Sequence, residues 1–284
     1  MSKVKATVHG AISIVNAIAT GKGATLGITP KVEVIMESSP GSGISVKSDS
    51  QNLSSRLITK TIEKIVSKKQ ISETKLNILL DSEIPTGYGL KSSSAISSAV
   101  ALAVTKLFKK KIDDSKILLA GVNASIETKV SLTGAYDDAC ACYFGGFMVT
   151  DNYKRKIISA KKAPTNLKVV IFIPKSRKRG NIKKLKTLNP VFERAWNFAK
   201  KSDYWNAMIL NGFATASILN SNPKIITNLV EKGAIGASIS GNGPSIAAVT
   251  KESNVSRIKK VFSSLDGETS VTQINNKRAE VHEL

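Results

Sequence analysis

Residues 85 to 95 read PTGYGLKSSSA, a proline and two glycines that run into three consecutive serines. Pro85 closes an apolar strand pattern, Gly87 and Gly89 let the backbone turn with its amides on one side, and Ser92, Ser93 and Ser94 fall in the first turn of a helix. A helix N-terminus offers unpaired N–H groups and about half a positive charge, so it receives phosphate well. A serine hydroxyl in that turn is also an oxygen ligand of the kind Mg²⁺ takes in phosphate loops. Serines cap helices for structural reasons too, and this stretch alone leaves both readings open.

Two other stretches hold comparable chemistry. TGAYDDACACYFGG (133–146) sets adjacent carboxylates, Asp137 and Asp138, just ahead of an apolar helical stretch, and Glu127 lies 11 residues before Asp138. Such acids can take a proton from a hydroxyl or hold a metal, and they can equally cap a helix. SISGNGPS (238–245) carries Gly241 and Gly243, which permit a strand-to-strand turn close to a ligand or a plain hairpin. The familiar nucleotide loops are absent. NAIATGKG (16–23) has Asn16 where a P-loop needs glycine and Gly23 where it needs Ser or Thr, and no G-x-G-x-x-G follows a strand pattern. With only two histidines, His9 and His282, the chemistry falls to carboxylates, hydroxyls, lysines and backbone amides.

The elements that must position these groups can be read from periodicity. KVEVIMES (31–38) alternates as a strand, and SSRLITKTIEKIVSKK (54–69) carries one helical apolar stripe. LNILLDSEIP then reads as a strand, SSAISSAVALAVTKLF as a buried helix opening at the serines, and residues 113–129 as a helix capped by Asp113. A composition shift places a boundary near residue 160, giving domains 1–160 and 161–284. LKVVIFIPK (167–175) opens the second half as a strand, two helical stretches follow over 190–220, and a shorter helix starts after Pro223 and ends at Gly233. AIGASISGNGPSIAAVT (234–250) reads as strand, glycine turn, strand.

The 284 residues, 42% hydrophobic, suffice for a sizeable core, and no apolar run approaches the ~20 residues of a membrane helix. Without a signal-peptide pattern, and with only Cys140 and Cys142, the expectation is a cytoplasmic protein with reduced thiols. The 42 basic residues against 21 acidic give +21, and between Asn152 and Phe192 there are 13 Lys or Arg and no acid. That excess is either a solvated face or a surface for an anionic partner, RNA or a small phosphorylated substrate. Tyr153, Phe172 and Phe192 are too sparse for a base-stacking platform.

In order along the chain, Pro85, Gly89, Leu90, Ser92 and Ser93, then Asp138 seven residues before Gly145, then Gly241-Asn242-Gly243-Pro244 resemble the motifs of the GHMP kinase superfamily, which includes galactokinase, homoserine kinase and mevalonate kinase. NAIATGKGATLGI (16–28), GLKSSSA (89–95) and TGAYDDA (133–139) look like the archaeal type of shikimate kinase within it. The resemblance implies a two-domain α+β fold, with a ribosomal-protein-S5-like N-terminal half, a ferredoxin-like C-terminal half and ATP in the cleft between them. It implies transfer of the ATP γ-phosphoryl group to the 3-hydroxyl of shikimate, in aromatic amino-acid biosynthesis.

In that scheme Pro85, Gly87, Gly89, Leu90, Lys91, Ser92, Ser93 and Ser94 form the phosphate loop. Ser93 and Glu127 hold Mg²⁺, and Asp138 is the catalytic acid. HGA (9–11) stands where Pro-Gly-Lys or Pro-Gly-Arg is usual, and Lys22 is the nearest replacement cation. The acceptor's carboxylate would meet Lys22, Arg177 or Arg179, with Asn16, Asp137, Gly241 and Gly243 on the substrate side. The partners implied are ATP and shikimate, with no specific nucleic acid and no membrane, in a monomer or homodimer. Homoserine kinase or another small-alcohol kinase, and a basic RNA-binding protein, are the alternatives.

Overall fold

A computed structural model of the chain describes residues 2–48, 54–177 and 180–284. The first half is built on two long antiparallel strands, β1 (Ser2–Val15) and β2 (Lys22–Pro40), whose alternation buries Val32, Val34 and Met36 between half-exposed Lys31, Glu33 and Ile35. β3 (Ile44–Ser48), α1 (Ser55–Glu63), α2 (Lys68–Glu73) and β4 (Thr74–Ser82) follow. The helical stripe of 54–69 is thus interrupted. Ser67 forms a capping box with Gln70, and this restarts the chain as a separate short helix.

Next come α3 (Ser92–Leu107), α4 (Asp114–Glu127), α5 (Tyr136–Phe144), β5 (Phe147–Asp151) and β6 (Lys156–Lys161). α3 is rich in Ala, Ser and Val and is buried on almost every side, as expected of a helix apolar all round. Its small side chains let β1, β2, α1, α4 and α5 all pack against it, and this fixes its N-terminus relative to that of α5.

The second half contains β7 (Leu167–Pro174), a 3₁₀ turn (Ile182–Leu188), α6 (Asn189–Lys200), α7 (Tyr204–Ile218), α8 (Lys224–Glu231), β8 (Ala234–Ile239), β9 (Ile246–Lys251), α9 (Val255–Phe262), β10 (Gly267–Gln273) and β11 (Glu280–Glu283). Four of its strands form an antiparallel sheet in the order β10-β7-β9-β8. The other sheet runs β11-β1-β2-β4-β3, with β5 on the N-terminal end of β2 and β6 beyond it. The last strand, β11, therefore returns to the sheet of the first half, outside the simple division at residue 160. Phe172 and Phe192 are core residues, and Tyr153 is exposed. Among the described residues no helix is long and apolar enough to cross a membrane, and Cys140 and Cys142 are buried free thiols.

α6 and α7 pack on β1 as well as on each other and so join the two halves, but the closest junction is made by the two glycine stretches. Gly89, at φ +83°, lies against the turn after β8, and a Cβ added there would fall on the Ser240 carbonyl. Gly89→Ala should therefore lower stability by about 2 kcal/mol or more, through left-handed strain and overpacking. Urea unfolding of the variant checks this, and an unchanged midpoint would show that the junction is loose.

Candidate active site

The glycine–serine stretch of residues 85–94 folds as its residue types demand. Gly87 and Gly89 have φ of +87° and +83°, and Lys91, also left-handed at φ 67°, turns the chain into α3. The first helical bond of α3 runs from Ala95 N–H to the Lys91 carbonyl, so the amides of residues 92–94 precede the ladder and point out of the helix end. α5 is built the same way. Ala135 adopts φ 52° immediately before it, and Asp137 and Asp138 lie in its first turn.

Two cavities meet between these helix ends. One, of about 150 Å³, is lined by Gly87, Gly89, Ser92, Ser93, Ser94, Ser125 and residues 130–132. The other, of about 50 Å³, is lined by Ser13, Asn16, Ala17, Thr133 and Asp137. Both share Ile18, Lys91, Ser131, Ala135, Asp138, Gly241 and Asn242, so the polar groups at the seam are Lys91, Ser131, Asp138 and Asn242. Larger hollows exist elsewhere, including one of about 430 Å³ between α1, α3 and α4. That hollow is far from the acid pair and the glycine turns in its lining, whereas the smaller two join all three stretches picked out from sequence.

The two acids have different surroundings. Asp137 is a buried strut: Oδ1 accepts from Asn152 Nδ2 at 2.7 Å, Oδ2 from Thr25 Oγ1 at 3.2 Å, and its N–H donates to Asn152 Oδ1 at 3.1 Å. Asp138 has a side chain 16% exposed and faces Lys91 Nζ at 3.0 Å from Oδ1. That oxygen is buried, and the Lys91 ammonium is its charged neighbour. Burial raises the Asp138 pKa, the Asp137 charge raises it further, and Lys91 opposes both, leaving it at about 7. A group so poised can exchange a proton near neutral pH.

Several expected residues stand elsewhere. Glu127 does not line either cavity; at the end of α4 its carboxylate pairs with Lys64 at 2.5 Å. Among the described residues no group of three or more His, Cys, Asp or Glu could hold a metal by itself. Lys22 Nζ is bound by Glu193 at 2.8 and 3.1 Å and lies 5.0 Å from the Trp196 ring centroid, so it is not the cation beside Asp138. Lys91 is that cation, and its amine points to Asp138 and Ser13.

Asn16 spends its amide on the backbone, donating to the Gly241 carbonyl at 2.7 Å and accepting from Ile18 N–H at 2.9 Å. Gly241 lines both cavities, whereas Gly243 closes the turn with a bond to the Ser240 carbonyl at 2.9 Å. Leu90 is a core residue, and neither it nor Pro85 lines either cavity. Arg177 is exposed and lies 5.0 Å from the ring centroid of Tyr88, at the edge of the phosphate loop. Arg179 falls outside the described residues.

Ser13 was not legible beforehand. Its hydroxyl accepts from Lys91 Nζ at 2.7 Å and from Gly241 N–H at 2.9 Å, while its own N–H donates to Ser240 Oγ at 3.2 Å. Ser240 Oγ in turn donates to the Gly89 carbonyl at 2.8 Å. A serine in the middle of a strand pattern carries no local signal of such a role. Asn242 and Thr133 lay inside recognised stretches without being singled out.

The raised pKa is directly measurable. The infrared carboxyl band that disappears in Asp138→Asn should titrate near pH 7. In Asp137→Asn, which removes the like charge, it should titrate lower, by ~1 unit. A band titrating in the ordinary range near pH 4 would mean that the site is wetter than the geometry indicates.

Residues 56–146 match the family GHMP kinases N terminal domain. The chain is 36% identical to the shikimate kinase of Methanosarcina acetivorans, over 96% of this chain and 95% of that one. It is 32% identical to the shikimate kinase of Methanothermobacter thermautotrophicus, over the full length of both. Among solved structures it is similar to a homoserine kinase from Cytophaga hutchinsonii, with TM-score 0.75 and 21% identity over 99% of this chain and 97% of the other. It is also similar to the Methanococcus jannaschii mevalonate kinase, with TM-score 0.77 and 16% identity over 96% and 98%. The structures establish the fold, and the near full-length identity to the sequence relatives establishes that the chain belongs to the GHMP kinase family, in its archaeal shikimate kinase branch.

Proposed function

We propose that the chain transfers the γ-phosphoryl group of ATP to the 3-hydroxyl of shikimate, with Asp138 as the proton acceptor. The observation that carries this reading is Asp138 at the seam of two cavities, held by Lys91 on one oxygen, with the free amides of α3 heading one of the cavities. A nucleotide's phosphates fit that helix end, and Ser131 and Thr133 border the smaller cavity beside Asp138. The names of the sequence relatives supply the identity of the acceptor.

Phosphoryl transfer needs positioning and charge neutralisation more than covalent chemistry by the protein. The amides of residues 92–94 hold the phosphates at the helix end. The acceptor oxygen bonds to the γ-phosphorus as the bond from that phosphorus to the β-bridging oxygen breaks. ADP leaves, and the hydroxyl proton passes to the Asp138 carboxylate. A base of pKa about 7 is ionised in half the molecules at neutral pH, so the rate falls as pH drops through that value.

Mg²⁺ commonly keeps several waters and binds through one or two protein oxygens plus phosphates, so the lack of an all-protein acidic cage does not conflict with it. Ser93, half-buried on the cavity wall in the first turn of α3, is the residue that would hold it. Bound there, the ion would neutralise phosphate charge. Glu127, paired with Lys64, is not placed to share it. Arg177, beside Tyr88, lines neither cavity.

ATP consumption measured in parallel with shikimate, homoserine and mevalonate should show shikimate preferred by at least ~100-fold in kcat/KM, because a site built for an acceptor's polar groups rejects one lacking them. Preference for homoserine or mevalonate would keep the fold and the phosphate site and discard the acceptor. Asp138→Asn should lose more than ~100-fold in kcat with little change in ATP affinity. For Ser93→Ala, the Mg²⁺ concentration giving half-maximal rate should rise several-fold, and an unchanged magnesium dependence would remove Ser93 as a ligand.

A further inference from the structure

Lys91 belongs to the glycine–serine stretch in sequence, and its side chain reaches Asp138 and Ser13. It occupies a left-handed conformation, φ 67°, that suits glycine, and its side chain makes no capping bond to α3. The side chain is 4% exposed, and its Nζ donates to Ser13 Oγ at 2.7 Å and stands 3.0 Å from Asp138 Oδ1. A Cβ at residue 241 would lie 2.9 Å from the same Nζ, so Gly241 leaves the amine its room. Lys91 is one of several non-glycine residues at positive φ, and of these it and Ala135 head the two helices at the site.

We infer that Lys91 is the positioning residue of the transfer, a cation carried by the phosphate loop that keeps the Asp138 carboxylate ionised and aimed at the acceptor hydroxyl. The inference rests on the reading of Asp138 as proton acceptor. The groups around Asp138 are few. Asp137 lies beside it on α5 and raises its pKa, and the Cys140 and Cys142 thiols, pushed up by burial, are neutral. β1 contributes the uncharged Ser13, and the C-terminal turn contributes Gly241 and Asn242. Among the described residues Lys91 is the only Lys or Arg lining either cavity. Burial and Asp137 both favour the protonated acid, and Lys91 is the group that opposes them. With its backbone heading the phosphate-binding amides and its side chain on the base, this one residue also fixes the spacing between phosphate and base.

The test uses the full chain as wild type, Lys91→Met, Lys91→Gly and Asp138→Asn. Methionine keeps the stem and removes the charge; glycine removes the side chain and relieves the left-handed backbone. The readouts are kcat, KM for ATP and for shikimate, the pH at which the Asp138 infrared band titrates, and the thermal midpoint. Both Lys91 variants should lose about 100-fold or more in kcat with the ATP KM within about threefold of wild type. Their Asp138 band should move up by about one pH unit or more, and the thermal midpoint shows whether each variant is folded.

Retention of kcat within about tenfold, with the band in place, would overturn the inference. So would a loss confined to the ATP KM with the band unmoved, which would make Lys91 a phosphate ligand. An inactive Asp138→Asn beside an unmoved band in Lys91→Met defeats the role of Lys91 alone. An Asp138→Asn that still turns over within about tenfold defeats the reading of Asp138, and this inference with it. If the glycine variant does not fold, the methionine variant decides through the infrared band, which needs no turnover.

Discussion

Asp138 must carry its charge where water barely reaches, and much of the surrounding structure can be understood as the means of keeping it there. Removing a carboxylate from water costs several kcal/mol unless it is paired and bonded. The N-terminus of α5 offers it a favourable dipole, Lys91 offers a cation at 3.0 Å, and Asp137 one residue away opposes both. The result is a carboxyl group with a pKa of about 7, held on one oxygen by the Lys91 ammonium.

The strain in the backbone follows the same geometry. Lys91 and Ala135, each left-handed without being glycine, sit directly before α3 and α5. A left-handed residue of this kind costs roughly 1–2 kcal/mol. Each lets a helix begin abruptly, so that its free N–H groups or its first-turn acids face the cavity instead of being absorbed by a longer cap. Burial of α3 and α5 in the core supplies the rigidity that holds two such turns in place.

The halves of the chain are joined at the site itself. Ser13 links β1 to Gly241 and to Lys91, Ser240 reaches back to Gly89, Asn16 holds the Gly241 carbonyl, and Ser245 N–H bonds to the Tyr88 carbonyl at 3.2 Å. The glycine turn of the second half therefore forms a wall of both cavities. A shift of either half would move the amides, the base and the cation together, which suits a reaction that depends on placement more than on covalent chemistry.

The sequence by itself determined which backbone groups could receive phosphate, because a glycine turn followed by a helix start is a local matter of φ/ψ and unpaired amides, and α3 begins at Ser92 as its pattern requires. It also determined the apolar faces, the acid pair at the head of α5 and the glycine turn between β8 and β9. Direction of side chains across the fold was not written there. The family resemblance placed Glu127 among the metal ligands, whereas the last turn of α4 carries it to Lys64, 63 residues away. Proximity in sequence to the altered first motif made Lys22 the replacement cation, yet Glu193 holds it, and Asp138 is met by Lys91, whose hydrogen-bond partner Ser13 lies 78 residues off. Chain spacing fixes where a residue begins. Which charge meets which is decided only when packed helices bring distant side chains into the same low-dielectric space, where contact distance, not sequence distance, sets the energy.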